Sequence, residues 1–308
     1  MIPFVCMMLF VGLAWYDSIV QKTYVIPSLS QPLLAKNDTL YYPQLTTILG
    51  TQTNASEAAQ TLADPAISAY GAVVIDDDSK VMVYGKNENV PFIPASTTKM
   101  MTALVALDQY GLDDVLEYRY PAAVGSMVGL TAGEKMTFRS LLYALLLPSG
   151  NDAALTLAQN YPGGVDAFVG AMNKKAADLH LQDTHFVEPS GISALNLTTP
   201  LDLATIGSEV MRSPVLSEIV GTKAYVVSDI TGKNVYPIEN INKLLGVYGI
   251  DGIKTGFTDE AGEVLVTSRD IDGHRLVIVV MHSNDRFADT RTLIQNIAEN
   301  TTYQPIHF

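Results

Sequence analysis

The chain has 308 residues, 48% of them hydrophobic, enough to fill the core of one large domain or two small ones. Thirty-two acidic against nineteen basic residues give a net charge of −13, which disfavours wrapping a phosphate backbone, so no nucleic-acid partner is expected. The single cysteine, Cys6, excludes an internal disulfide and a thiolate metal cluster, and leaves the redox compartment open.

Ile2 to Tyr16 is an apolar run. At ~1.5 Å per residue it reaches ~23 Å, short of a hydrocarbon core of ~30 Å, although Ile19 and Val20 extend it. Gly12-Leu13-Ala14 offers a small-residue cleavage pattern, while a basic leader is missing. Residues 1–20 are therefore read as an export signal or a retained membrane anchor, with a buried core helix as the remaining alternative. Either of the first two gives an extracytoplasmic location, in a periplasm or on the outer face of the cell membrane. Residues 21–63 carry Pro27, Pro32 and Pro43 among Ser, Thr, Gln and Asn, and read as a spacer. A small structural unit around Leu40 to Leu49 is the alternative.

An ordered domain is expected over 64–308. Ser68 to Ile75 and Lys80 to Tyr84 read as a hairpin around the polar turn Asp76 to Ser79. Beyond Pro91 and Pro94 the pattern becomes helical until Gly111. Thr137 caps an apolar helix, Phe138 to Leu147, that Pro148 stops. Helical patterns follow over 152–160 and 165–179, and again after Thr199-Pro200. Strands return at 224–228, 248–254, 263–267 and 275–282, before a last helix over 285–299. Strands at both ends with helices between them predict an α+β fold, with one antiparallel sheet closed by the two chain ends and an inserted helical region. The active site is expected between the two.

Three short motifs stand in order: Ser96-Thr97-Thr98-Lys99 opening a helix, Ser149-Gly150-Asn151 between two helices, and Lys254-Thr255-Gly256 at the end of a strand. Ser96 and Lys99 are spaced to stack on one helix face, so hydroxyl and amine can meet. A serine is a weak nucleophile until a base takes its proton, and lysine is that base only when neutral. Burial, a helix N-terminus and a nearby cation all lower a lysine pKa, so a pocket and a second cation are expected. Lys254 can be that cation and attract a carboxylate, and Thr255 can offer the carboxylate a hydroxyl. Ser149 can relay a proton to a departing amine, and Asn151 can fix Lys99 and a substrate amide. Gly256 lets a substrate backbone approach the strand edge.

These motifs, with the runs LLYALLLPSGNDAA (141–154), THFVEPSG (184–191) and GIDGIKTGFTDEAGEVL (249–265), resemble the low-molecular-mass penicillin-binding proteins, specifically the serine D-alanyl-D-alanine carboxypeptidases. The likeness runs from about Tyr70 to Leu293. It implies a β-lactamase/transpeptidase-like α/β fold without cofactor or metal. It also implies that Ser96 is acylated by the penultimate D-Ala of a peptidoglycan stem pentapeptide, releasing the terminal D-Ala, and that β-lactam antibiotics acylate the same serine. By the same analogy the oxyanion is held by the backbone N–H groups of Ser96 and Phe257.

Two departures stand out. Family members often carry Asn where Glu188 stands, and class A β-lactamases place a deacylating glutamate in a comparable interval. Those enzymes, however, have Asn where Ile192 stands and Asp where Gly150 stands. The C-terminal β domain of many family members is not expected here, which leaves membrane attachment to the N-terminal segment. A β-lactamase-like hydrolase and a catalytically silent peptidoglycan-binding protein are the alternative functions. Arg286 reads as a surface charge, with a carboxylate contact as its alternative. His180 and His185 are spaced wrongly for zinc on one helix face, and His282 reads as structural.

Overall fold

The computed structural model describes residues 40–45, 65–119, 125–271 and 273–306. The signal or anchor over 1–20 and most of the spacer over 21–63 lie outside the described residues. Leu40–Leu45, within the structural unit around Leu40 to Leu49 that is the alternative to a spacer, is a strand, β1, paired with the final strand at Thr301–Ile306.

The hairpin β2 (Gly71–Asp76) and β3 (Met82–Lys86) opens the main sheet. A short 3₁₀ turn, Ala95–Thr98, then leads into α1 (Lys99–Gln109). Ser96 thus lies in the tighter turn before the helix that Lys99 begins. Two three-residue strands, β4 (Val115–Glu117) and β5 (Lys135–Thr137), pair with each other. They are too short to show an alternating pattern in the sequence. The helical region follows with α2 (Phe138–Leu146), α3 (Asn151–Asn160), α4 (Gly164–Asp178), α5 (Pro200–Arg212) and α6 (Pro214–Val220). Thr137, Thr199 and Ser213 cap α2, α5 and α6 by accepting from the N–H groups of Ser140, Asp202 and Leu216.

Residues 224–228, read above with the sheet strands, instead form a separate hairpin: β6 (Ala224–Ser228) pairs with β7 (Val235–Glu239). Tyr225 pins it to α2 by stacking on Tyr143, ring centroids 3.8 Å apart. The chain then returns through β8 (Ile250–Thr258), β9 (Gly262–Ile271) and β10 (His274–Ser283) to α7 (Arg286–Asn300) and β11 (Thr301–Ile306).

The main sheet has five antiparallel strands in the order β3-β2-β10-β9-β8, so the two ends of the domain meet where β10 pairs with β2. Because side chains alternate across a strand, its apolar runs serve both faces. Val73, Val277, Val279, Val264 and Val266 face the helical region. Ala72, Val74, Ile278, Val280 and Leu265 pack with Leu293, Ile294 and Ile297 of α7. Asp289 of α7 ties the layers together, accepting from Ser68 N at 2.8 Å, Ala69 N at 2.8 Å and Ser283 Oγ at 2.6 Å. β8 is left as an edge strand beside the 3₁₀ turn.

Candidate active site

The Lys99 side chain is wholly buried, and its amine sits at the centre of a polar cluster. Nζ lies 3.0 Å from Ser96 Oγ, 2.6 Å from Asn151 Oδ1 and 2.5 Å from the Ser190 carbonyl. The first contact follows from the three-residue spacing, the second from Asn151 opening α3, and the third from the loop over 188–191. Burial lowers the Lys99 pKa to about 7, while the carboxylates of Glu188 and Asp152 pull it upward. At neutral pH a large share of the amine is thus uncharged.

Lys254, also buried, donates to the Thr255 carbonyl at 3.1 Å. Its pKa is pushed well below the usual lysine range, by burial first, then by Lys99 and Arg286. The expectation that a second cation keeps Lys99 neutral is therefore adjusted. Burial is the first cause for both amines, and the positive charges around Lys254 act on it. The Ser149 and Thr255 hydroxyls are buried, and neither oxygen has a hydrogen-bond partner among the described residues. Buried hydroxyls rarely stay unpaired, so both mark places where the site offers a hydrogen bond outward. Ser149 is held at φ +70°, a left-handed conformation uncommon outside glycine.

Lys254-Thr255-Gly256 lies inside β8 rather than at the end of a strand, with Phe257 next along and 57% exposed. Gly256 also serves a different contact from the one read in the sequence. A Cβ there would lie 3.0 Å from the Pro94 carbonyl oxygen and 3.0 Å from Ser96 N, so its bareness makes room for the 3₁₀ turn that carries Ser96. Arg286 is not a surface charge. Its side chain is mostly buried and donates to the Gly256 carbonyl at 2.7 Å, which fixes β8 to the start of α7.

Sequence reasoning passed over three groups. Asp152, fully buried, accepts from the N–H groups of Val128, Gly129 and Leu130 at 3.1, 2.8 and 3.1 Å, and so pins the loop beside Asn151. Its place directly after the second motif, in the first turn of α3, was the available signal. Replacing Asp152 with Ala strands three backbone donors and should cost ~3 kcal/mol of stability by denaturant unfolding. An unchanged unfolding midpoint would count against this anchor. Ser190 and Gly191, quoted above only as part of a familiar run, supply the carbonyl on Lys99 and the wall behind Ala95. Gly125 is the third: a Cβ there would sit 2.4 Å from Asn151 Nδ2.

The model of the D-alanyl-D-alanine carboxypeptidase family matches residues 57–285. The chain belongs to that family. This D-alanyl-D-alanine carboxypeptidase family member is therefore a serine-type peptidase, of a family that acts on peptidoglycan stem peptides and binds β-lactams. It is 33% identical to the carboxypeptidase DacF of Bacillus subtilis, over 73% of this chain and 60% of that protein. It is 35% identical to a D-alanyl-D-alanine endopeptidase of Pseudomonas aeruginosa, over 74% of this chain and 76% of that protein. The crystal structure of the Streptomyces K15 DD-transpeptidase superposes with a TM-score of 0.72 at 33% identity, over 76% of this chain and 98% of that one. The β-lactamase/transpeptidase-like fold expected from the sequence is thus the fold observed.

Two features of this carboxypeptidase family member bear on the β-lactamase alternative. A Cβ on Gly150 would lie 2.8 Å from the Ala144 carbonyl and 2.9 Å from Asp152 Oδ1, so the Asp of the β-lactamase motif has no room. Glu188 spends both carboxylate oxygens on Ser190, Gly191 and Asn196 rather than on Ser96. Away from the cleft, Asp76, Asp78 and His274 each bring a potential metal ligand to the β2–β3 turn. Asp76 Oδ1 already accepts from Asp78 N and Ser79 N, and Oδ2 faces His274 Nδ1 at 3.5 Å, a carboxylate–imidazole contact that explains the grouping. His282 packs edge-on against Tyr70. Among the described residues no helix is long and apolar enough to cross a membrane.

Proposed function

We propose that the cleft removes the terminal D-Ala from peptidoglycan stem pentapeptides through an acyl-enzyme on Ser96. The observation that carries this reading is the buried Lys99 amine, 3.0 Å from Ser96 Oγ with a pKa near 7. Lys99 takes the Ser96 proton as Oγ attacks the carbonyl carbon of the penultimate D-Ala. The oxyanion meets the backbone N–H groups of Ser96 and Phe257. The C–N bond then breaks, and the Ser149 hydroxyl passes a proton to the leaving nitrogen, regaining one from Lys99. In the second half Lys99 takes a proton from water, which attacks the ester, and Ser96 leaves with that proton.

Lys254 and Thr255 receive the substrate's terminal carboxylate. That negative charge raises the Lys254 pKa again, so the cation is restored when substrate enters. Asn151 keeps Lys99 aimed and donates to the substrate amide. Acylation by β-lactams uses the same first step. The reading places the domain outside the cytoplasmic membrane, where stem peptides are, with residues 1–20 as export signal or anchor.

The test is labelling with a fluorescent penicillin, followed by mass spectrometry of the tagged peptide and D-Ala release from a pentapeptide. A tag anywhere but Ser96, or D-Ala release surviving Ser96→Ala, would overturn the reading. The acylation rate should also rise with pH through about 7, because the base works only after losing its proton. A flat rate between pH 5 and 9 would remove Lys99 from that role. Cleavage of a cross-linked dimer in preference to the pentapeptide would shift the reading to an endopeptidase, the activity named for two of the relatives.

A further inference from the structure

The loop that closes over Lys99 is organised by one carboxylate. Glu188 Oε2 accepts from Ser190 N at 2.7 Å and Ser190 Oγ at 2.5 Å, and Oε1 from Gly191 N at 2.6 Å and Asn196 Nδ2 at 2.9 Å. The backbone thus gathered does two things in the cleft. Ser190 turns its carbonyl onto Lys99 Nζ at 2.5 Å. Gly191, at φ +82°, packs so closely on Ala95 that a Cβ would fall 1.9 Å from the Ala95 oxygen. Ala95 is itself left-handed at φ +48°, a strained residue just before the nucleophile.

We propose that Glu188 is a positioning residue for acylation, holding the Ser190-Gly191 backbone where it aims the Lys99 amine and braces the turn that carries Ser96. This inference rests on the Ser96 and Lys99 reading above and adds a charge to it. Lys99 faces Glu188 from this loop, Asp152 from the start of α3, and Lys254 from β8, with Arg286 behind Lys254. The two carboxylates favour the protonated amine and burial opposes them. Glu188, with Asp152, therefore shifts the acid limb of the rate profile upward, while its loop decides where the amine points.

Two variants of the full chain separate charge from position, with the second-order rate of acylation by a fluorescent penicillin measured from pH 5 to 9. Glu188→Asp keeps the charge but shortens the arm. Its plateau should fall roughly 10- to 100-fold, the scale of a misplaced catalytic group, with the midpoint still near pH 7. Glu188→Gln loses the charge, so its midpoint should move to lower pH as well as its plateau falling. A wild-type plateau in Glu188→Asp overturns the proposal, and that variant decides it alone if Glu188→Gln does not melt cooperatively. An unmoved midpoint in a folded Glu188→Gln overturns the electrostatic half. Failure of the underlying reading is distinct: the wild-type tag would then not sit on Ser96.

Discussion

Lys99→Met is expected to leave a folded protein in which Ser96 is acylated at least ~10³-fold more slowly, the upper range of what a positioned base contributes, equal to ~4 kcal/mol of barrier. Methionine fills a similar volume in a fully buried site but takes no proton, so the nucleophile survives without its activator. Less than a tenfold loss in the penicillin acylation rate would dismiss the amine as base. Stability offers a second reading of the same variant. The folded pKa, about 7, lies below the unfolded value of 10.5, so below pH 7 the native chain buries a charged amine in full. That penalty fades between about 7 and 10.5, where only the unfolded chain holds the proton. Thermal melts should therefore favour the methionine variant most at pH 6 and least at pH 10. A difference independent of pH would contradict the burial argument.

Gly191→Ala should be nearly as damaging, although the glycine touches no reacting atom. Its new Cβ would meet backbone, the Ala95 oxygen at 1.9 Å and carbon at 2.4 Å, with Ser96 N at 2.9 Å, and backbone cannot swing aside as a side chain would. The turn must move, and a displacement of ~1 Å at the nucleophile costs on the order of 100-fold in rate. Gly232 is the control: it also has a positive φ, +70°, yet among the described residues nothing lies within 4 Å of its added Cβ. Gly232→Ala should lose only ~1 kcal/mol of stability from backbone strain and keep its acylation rate. Equal rates in the two variants would show that the Ala95 contact does not brace Ser96.

The three motifs and the sheet were legible because each rests on local chemistry. Lys99 meets Ser96 by helix geometry alone, and the runs around Val74, Leu265 and Ile278 announce strands covered on both faces. The contacts that complete the cleft join segments far apart in sequence, and no spacing rule reaches them. Gly256 reads in the sequence as room for a substrate backbone, while its packing against the Pro94 to Ser96 turn is a contact that no spacing announces. Arg286 looked like one more charge at a helix start, but the Gly256 carbonyl draws it inward. Glu188 was visible as an odd letter in a familiar run, whereas its work, gathering N–H groups of residues that follow it, is a matter of loop shape. Residues 224–228 carry the composition of a sheet strand and only tertiary packing sends them to α2, while their partner 235–239, interrupted by Pro237, announces no strand at all.

The seam between β2 and β10 has a consequence for how the molecule comes into being. Asp289 of α7 and Ala69 just before β2, bonded across 220 positions beside that seam, cannot meet until the chain has been made as far as α7. Closing so large a loop is entropically slow, and β8, which carries Lys254, joins β2 by way of β9 and β10. A nascent chain still short of β8 to β10 therefore carries Ser96 without Lys254 and without the strand that packs beside its turn.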